Sequence, residues 1–327
     1  MDSFSAARIR TAGKYTVLCF CLLLLLLAAC DTAQNNPGQP NHTVSTNNGP
    51  TISYNADPQE LVIRTFNGGG RLGTLEVSPE ISIYGNGSYI LGPGLTMQTG
   101  QLSTDTLDQL LRTLVGSDGL LNFSQQQFYD IPDQNATFLQ LNIDQHSYNY
   151  LYGPFGNLAE SAQAMVEYRQ LGAALTSIRG MLTGALQGYK GSSTALLVHR
   201  DFSPDLTQAI PYWTEPDIDL TNLAIYECGA IPQDQTGPNA DTGCLTYTIP
   251  RHALLLSEQQ QQAIVHLLQG QAQGVFLERG VYYTVALRVL LPDELAARTL
   301  AMLGSDELSY SGIALIEGPV PTPQPTP

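Results

Sequence analysis

Several stretches of this chain carry residue types and spacings that could do chemistry. Gly68 to Gly73, GGGRLG, has the G-x-G-x-x-G spacing of a dinucleotide-binding turn and follows LVIRTFN, a run that reads as a strand. In such a turn the glycines let the backbone approach a pyrophosphate, which rests on the N-terminus of the next helix. Here TLEVSPEISIYG follows, with Pro79 and β-branched residues, so the helix is missing and GGGRLG reads as a hairpin loop. Asp241 to Gly243, DTG, has the letters of an aspartic-protease turn. That chemistry needs two carboxylates sharing a proton, and no second D-[ST]-G exists. The five histidines, His42, His146, His199, His252 and His266, show no metal-ligand spacing such as H-E-x-x-H. There is also no G-x-S-x-G. These absences leave no catalytic residue and no cofactor to assign.

Two acidic stretches and one tyrosine stripe remain as candidates for binding. DIPDQN offers Asp130, Asp133 and Asn135, and EPDIDLTN offers Asp217 and Asp219. Calcium takes six to eight oxygens from turns of this kind. Neither stretch has the EF-hand pattern, and Asp and Asn are also turn formers in their own right. They are weak calcium candidates. In SYNYLYGPF, Tyr148, Tyr150 and Tyr152 fall on one face of a strand. Such a stripe covers a sheet against a helix, or forms a binding surface that stacks a glycan or grips an envelope protein.

The N-terminus carries a different kind of chemistry. Arg8, Arg10 and Lys14 precede an apolar run from Val17 to Leu27, which ends in Leu27-Ala28-Ala29-Cys30. Eleven apolar residues are too few for a bilayer-spanning helix, which needs about 20. A basic segment, a short apolar core and small residues describe an export signal. The ending resembles the lipobox of bacterial lipoproteins. The resemblance implies a signal peptide over 1–29, lipid attachment at Cys30, and a protein anchored to the outer face of the cell membrane. Cys19 and Cys21 would leave with the signal. The order of segments in the body, with LRVLLPDE near its end, is also similar to uncharacterised lipoproteins of Gram-positive and related bacteria.

Charge narrows the partners. The chain has 14 basic and 29 acidic residues, net −15. Taking off Arg8, Arg10, Lys14 and Asp2 with the signal leaves 11 and 28, net −17. Such a surface repels phosphate backbones, so nucleic acid is not an expected partner. Of the remaining cysteines, Cys228 and Cys244 flank GAIPQDQTGPNADTG, a turn-rich stretch with few apolar residues. An exported chain folds where disulfides persist, so these two are expected to pair. The alternative, a free redox pair, lacks C-x-x-C spacing.

Behind these residues stand the elements that must place them. Residues 30–58 are rich in Asn, Pro, Thr and Gly and read as a tether, averaging about 30 Å end to end as a flexible coil. Residues 319–327 form a Pro-rich tail. The body divides into two α+β halves or domains, 59–190 and 191–318. Leu61 to Asn67 is a strand, and Gly85-Asn86-Gly87 turns the next hairpin. LSTDTLDQLLRTLVG is a short amphipathic helix capped by Ser103 or Asp105 and ended by Gly116. TFLQLNID and SYNYLYG form a hairpin turned near Asp144 to Ser147. A longer helix over Leu158 to Leu182 follows, with Met165, Tyr168, Leu175, Ile178 and Leu182 on its buried stripe. TALLVHRDF is a strand. LSEQQQQAIVHLLQG is a second short helix with a capping box from Ser257 to Gln260, and GVYYTVALRVLLPDE is a strand that stops at Pro292. The two short helices align, through either duplication of a helix-plus-strands unit or the general likeness of amphipathic helices. The fold class is α+β, mainly antiparallel sheet, with two short amphipathic helices and one longer helix.

Three functions fit. The leading one is a non-enzymatic, membrane-anchored binding or structural module. The others are an extracytoplasmic hydrolase whose site assembles from distant residues, and a solute-binding protein, which would show two lobes of repeating βα units.

Overall fold

The computed structural model describes residues 41–45, 50–69, 78–92, 96–131, 134–158, 160–201, 204–224, 252–303 and 310–318. The fold is α+β with antiparallel pairing dominant. Two large sheets divide the body in chain order. The first has eight strands, in the order β10-β6-β5-β4-β3-β8-β9-β7. These are β3 (Leu61–Gly69), β4 (Ile81–Tyr84), β5 (Ser88–Leu91), β6 (Gln98–Gln101), β7 (Gln127–Phe128), β8 (Asn135–Ile143), β9 (His146–Tyr152) and β10 (Gln187–Gly188). The second has six, ordered β13-β14-β11-β12-β16-β15. Here the strands are β11 (Thr194–Arg200), β12 (His252–Leu255), β13 (Gln273–Glu278), β14 (Val281–Val289), β15 (Thr299–Leu303) and β16 (Tyr310–Ile316).

Strand alternation gives the first sheet two different faces. Ile63, Thr65, Leu139, Leu141, Ile143, Tyr148 and Tyr150 stand on the inner face, in register across β3, β8 and β9. Two helices cover that face. Helix α1 (Thr104–Arg112) contributes Leu107, Leu110 and Leu111, and α2 (Ala162–Met181) contributes Leu171, Ala174, Leu175 and Ile178. Each starts on a serine cap: Ser103 accepts from Thr106 N and Ser161 from Ala164 N. The buried stripe of α2 includes Ala164 and Glu167, where the sequence reading had placed Met165. Helix α1 does not stop at Gly116. It passes into a π-helical turn over Thr113–Ser117, and the chain reverses at Gly119, whose φ is +67°.

Residues 41–45 and 50–55, expected as tether, belong to the folded body. β1 (Asn41–Val44) and β2 (Ile52–Asn55) form a hairpin, and Val44, Ile52 and Tyr54 enter the core beneath α1. Each short strand places its apolar residues on one side, which an Asn- and Thr-rich composition hides. Asp144, in the turn between β8 and β9, pins the hairpin through Ser53 N at 2.6 Å and Ser53 Oγ at 2.9 Å. That turn uses left-handed Asp144 and Gln145, which a two-residue hairpin loop requires.

The second sheet packs α3 (Leu220–Leu223) and α4 (Glu258–Leu267) on one face, with Ile264, Leu268, Phe276, Leu196 and Leu287 in the shared core. Ser257 and Gln260 form the expected capping box. On its other face lies α5 (Pro292–Ala297), unforeseen in the sequence. There β14 ends at Val289, and Pro292 opens a helix, a position that suits its fixed φ and missing N–H. The hairpins that follow α1 and α4 join their sheets differently. β3 pairs with β8, the first strand of its hairpin, whereas β11 pairs with β14, the second of its own. The likeness of the two short helices does not extend to strand order.

Candidate functional site

Two arginines stand inside apolar strands, Arg64 in LVIRTFN and Arg288 in VALRVLL. Both are fully buried. Full burial of a guanidinium is rare unless it is paired, and both find their acids on α5. Arg64 Nη2 donates to Asp293 Oδ1 at 2.8 Å, and Tyr84 OH donates to the same oxygen at 2.9 Å. Arg64 Nε donates to Ser82 Oγ at 3.2 Å. Arg288 Nη2 donates to Glu294 Oε1, and Nη1 to Ala301 O at 3.2 Å. Glu294 also caps its own helix, accepting from Leu291 N at 2.8 Å, and from Ala301 N at 3.0 Å. Burial pulls the Arg64 pKa down, but Asp293, Tyr84 and Glu294 outweigh it and hold the guanidinium charged. Burial dominates at Arg288, whose pKa is lowered. Tyr84 is raised, chiefly by desolvation and then by Asp293.

Apolar contacts flank this cluster. Leu291 packs with Tyr84, Ile90 and Met97, and Ala301 with Phe66 and Phe138. The cluster therefore joins the outer face of the first sheet to the second sheet, and its charges are neutralised by each other. This is the chemistry of a joint: Arg64 pairs with Asp293 and Arg288 with Glu294. The sequence reading passed over these four residues. The signal was there: a charged residue in each of two apolar strands, and PDE directly after the second.

The tyrosine stripe is placed under α2. Tyr150 is buried and donates to Leu120 O at 2.8 Å. Tyr152 stacks on Tyr168 with ring centroids 4.8 Å apart, and Tyr148 packs against the same core. Its face is therefore core, and the binding-surface reading of these three residues gives way to the packing one. Gly172 makes room for this, since a Cβ there would lie 2.8 Å from the Tyr152 hydroxyl.

The calcium candidates among the described residues are engaged separately. Asp130 accepts from the backbone N–H groups of Gly156, Asn157 and Leu158 and from Asn157 Nδ2. Desolvation pushes its pKa up, but these bonds together outweigh it and lower the pKa. Asp219 caps α3 and pairs with Arg279 at 2.9 Å. Asn135 starts β8, and Asp217 lies exposed before α3. Asp133 lies outside the described residues, as do Cys30, Cys228, Cys244 and Asp241 to Gly243. Among the described residues, no group of three or more His, Cys, Asp or Glu side chains could hold a metal ion.

The histidines are dispersed. His42 belongs to β1 and meets Asp108 Oδ2 at 2.9 Å, while Tyr54 OH donates to Asp108 Oδ1 at 3.1 Å. His146 lies at the start of β9, His199 on β11, His252 on β12 and His266 on α4. Burial lowers the His199 pKa, with Asp201 opposing. One acid stands out. Asp118 follows the π-helical turn, and burial raises its pKa to about 6. Among the described residues, no hydrogen bond reaches its buried Oδ2. A raised carboxyl is an acid–base candidate in principle, but among the described residues no second ionisable group is bonded to it. Among the described residues, no helix is long and apolar enough to cross a membrane. No protein family, no curated protein and no solved structure matches this chain.

Proposed function

We propose that this protein is an exported lipoprotein, anchored through Cys30, whose two-sheet body acts outside the membrane as a non-enzymatic binding or structural module. The observation that carries the reading is the order of Arg8, Arg10 and Lys14, the apolar run Val17 to Leu27, and Leu27-Ala28-Ala29-Cys30. Two acyl chains anchor a protein stably where one does not.

Three features support the module over an enzyme. The buried charges of Arg64, Arg288, Asp293 and Glu294 are matched within the fold. Tyr148, Tyr150 and Tyr152 are engaged in packing. Among the described residues, Asp118, the acid with the raised pKa, has no bonded partner of the kind that acid–base or nucleophilic chemistry needs. A solute-binding protein of two βα lobes is disfavoured by the dominance of antiparallel pairs in both sheets. Ten residues, Asp31 to Pro40, separate Cys30 from β1, a contour of at most about 35 Å.

The test is metabolic labelling with a fatty-acid analogue in a bacterial host, comparing the wild-type chain with Cys30→Ser. The wild type should be labelled and found in the membrane fraction, and the variant should be unlabelled. Equal labelling of both would overturn the reading.

A further inference from the structure

Four places in the chain read Asn, any residue but proline, then Ser or Thr: Asn41-His42-Thr43, Asn86-Gly87-Ser88, Asn122-Phe123-Ser124 and Asn135-Ala136-Thr137. In an exported chain that tripeptide is an acceptor for N-linked sugar, with the asparagine amide as the nucleophile and the hydroxyl two residues on as the group recognised. All four asparagines are exposed. Exposure does not separate them, but their partners do. Asn86 Oδ1 accepts from Ser88 N at 2.9 Å and from Ser88 Oγ at 2.7 Å, so amide and hydroxyl bind each other inside a tight turn. Ser124 Oγ donates to Glu167 Oε2 at 2.8 Å, and Ser124 N donates to the same buried carboxylate. Thr137 Oγ1 donates to Asn67 Oδ1 at 2.7 Å, and its strand β8 is paired on both sides, with β3 and β9.

Asn41 differs from these three. It opens β1, which pairs with β2 alone among the described residues. His42 and Val44 turn inward: His42 Nε2 meets Asp108 Oδ2 at 2.9 Å, and Val44 is buried in the main core. Strand alternation therefore sets Asn41 and Thr43 side by side on the opposite face, and both are exposed. Among the described residues, no hydrogen bond engages either side chain. The first residue of an edge strand also frays at little cost, whereas β8 cannot leave its place without opening the sheet on both sides.

We propose that Asn41 is the acceptor of an N-linked glycan, transferred to the folded chain from a lipid-pyrophosphate-linked oligosaccharide. Asn41 Nδ2 attacks the anomeric carbon of the first sugar. A C–N bond forms, the C–O bond to the pyrophosphate breaks, the lipid pyrophosphate leaves, and the amide nitrogen gives up one proton. Thr43 takes no part in the bond changes; its hydroxyl is what a transferase reads. The chain from Cys30 to Asn41 is short, with ten residues between them and a contour of at most about 35 Å. Lipidation at Cys30 thus keeps the acceptor within reach of a donor held in the same membrane. The proposal rests on the export reading, because donor and acceptor meet outside the membrane.

The experiment is mass spectrometry of the full chain purified from the membranes of its own cells, digested and read at each of the four asparagines. The peptide spanning Asn41 should carry a mass excess of whole sugar residues. Asn41→Gln and Thr43→Val should lose it. Thr43→Ser, which restores the hydroxyl alone, should keep it, an outcome that a merely structural role for residue 43 would not give. A bare Asn41 in protein that carries lipid at Cys30 overturns the proposal. So does sugar at Asn86, Asn122 or Asn135 that outweighs the sugar at Asn41, since the partners of those three residues would then not have protected them. Failure of the export reading appears separately, as loss of the fatty-acid labelling difference at Cys30, which involves no sugar.

Discussion

Asp293 and Glu294 are adjacent in sequence, yet their carboxylates serve opposite sheets. Asp293 accepts from Arg64 on β3, and Glu294 from Arg288 on β14. One turn of helix thus holds the two layers together. Asp293→Ala leaves the Arg64 guanidinium buried without its counter-charge. The expected loss is about 3–5 kcal/mol in urea unfolding. Replacing both partners, Arg64→Met with Asp293→Leu, should restore much of it, because two apolar side chains incur no desolvation penalty. If the double variant is as unstable as the single, the joint depends on more than charge pairing.

The β1–β2 hairpin makes a second prediction. Val44, Ile52 and Tyr54 are buried in the main core, and Arg112 Nε donates to Ser45 O at 3.2 Å. Ile52→Ala should cost about 2–5 kcal/mol, the range for a large-to-small change in a packed core. A chain begun at Pro40 should keep its unfolding midpoint, and one begun at Gln59 should lose several degrees. Equal midpoints for the two truncations would show that the hairpin only decorates the surface.

Asp118 and His199 shape the pH profile in opposite senses. The Asp118 pKa is raised to about 6 by burial, so the folded chain holds a proton that the unfolded chain has released. Its contribution is complete below the unfolded value of about 3.9 and is lost as pH rises through about 6. Asp118→Asn should therefore stabilise the protein at pH 8 by roughly 1–2 kcal/mol, after allowance for residual solvent screening, and change little at pH 4. His199 has a lowered pKa because it is buried. Its unfolded form takes up a proton first, so stability is lost as pH falls below about 6.5. His199→Gln should flatten that acid limb. Urea melts of the three proteins across this range would separate the two effects.

The cysteine pair gives a prediction outside the described residues. Cys228 and Cys244 close a loop of about 17 residues if joined, which contributes roughly 3 kcal/mol in the chain-entropy account. Alkylation of the unfolded, non-reduced protein should leave both thiols unmodified. Modification of both without reductant would refute the bridge.

Legibility in the sequence followed how local each signal was. Ser103 and Ser257 cap their helices as the sequence indicates, because a cap is decided within four residues, whereas the long helix starts at its Ser161 cap and not at Leu158. Gly87, at φ +81°, turns the hairpin as its neighbours Gly85 and Asn86 announced. Signals that need a partner far away were harder to read. The strands of the first hairpin are four residues each and bury few apolar side chains, so composition outweighed pattern and 41–55 passed for linker. Gln140 and Asn149 look like ordinary solvent-side residues in alternating strands. Only the register shows that Arg64, Gln140 and Asn149 share one face on neighbouring strands. Tyr148, Tyr150 and Tyr152 were ambiguous for the same reason, since a strand face does not say what covers it.

The joint at α5 also governs the order of folding. Arg64 and Asp293 are 229 residues apart in sequence, whereas each sheet is built from one continuous stretch of chain. Contacts of such long range are slow to form, because the intervening chain must be closed before they stabilise anything. Each sheet can gather its strands before the two dock. Arg64 and Asp293 then stay hydrated through most of the folding reaction and lose water only at its last step. Substitutions at Arg64 or Asp293 should therefore leave the refolding rate nearly unchanged and accelerate unfolding. The joint sets how long the protein stays folded more than how quickly it folds.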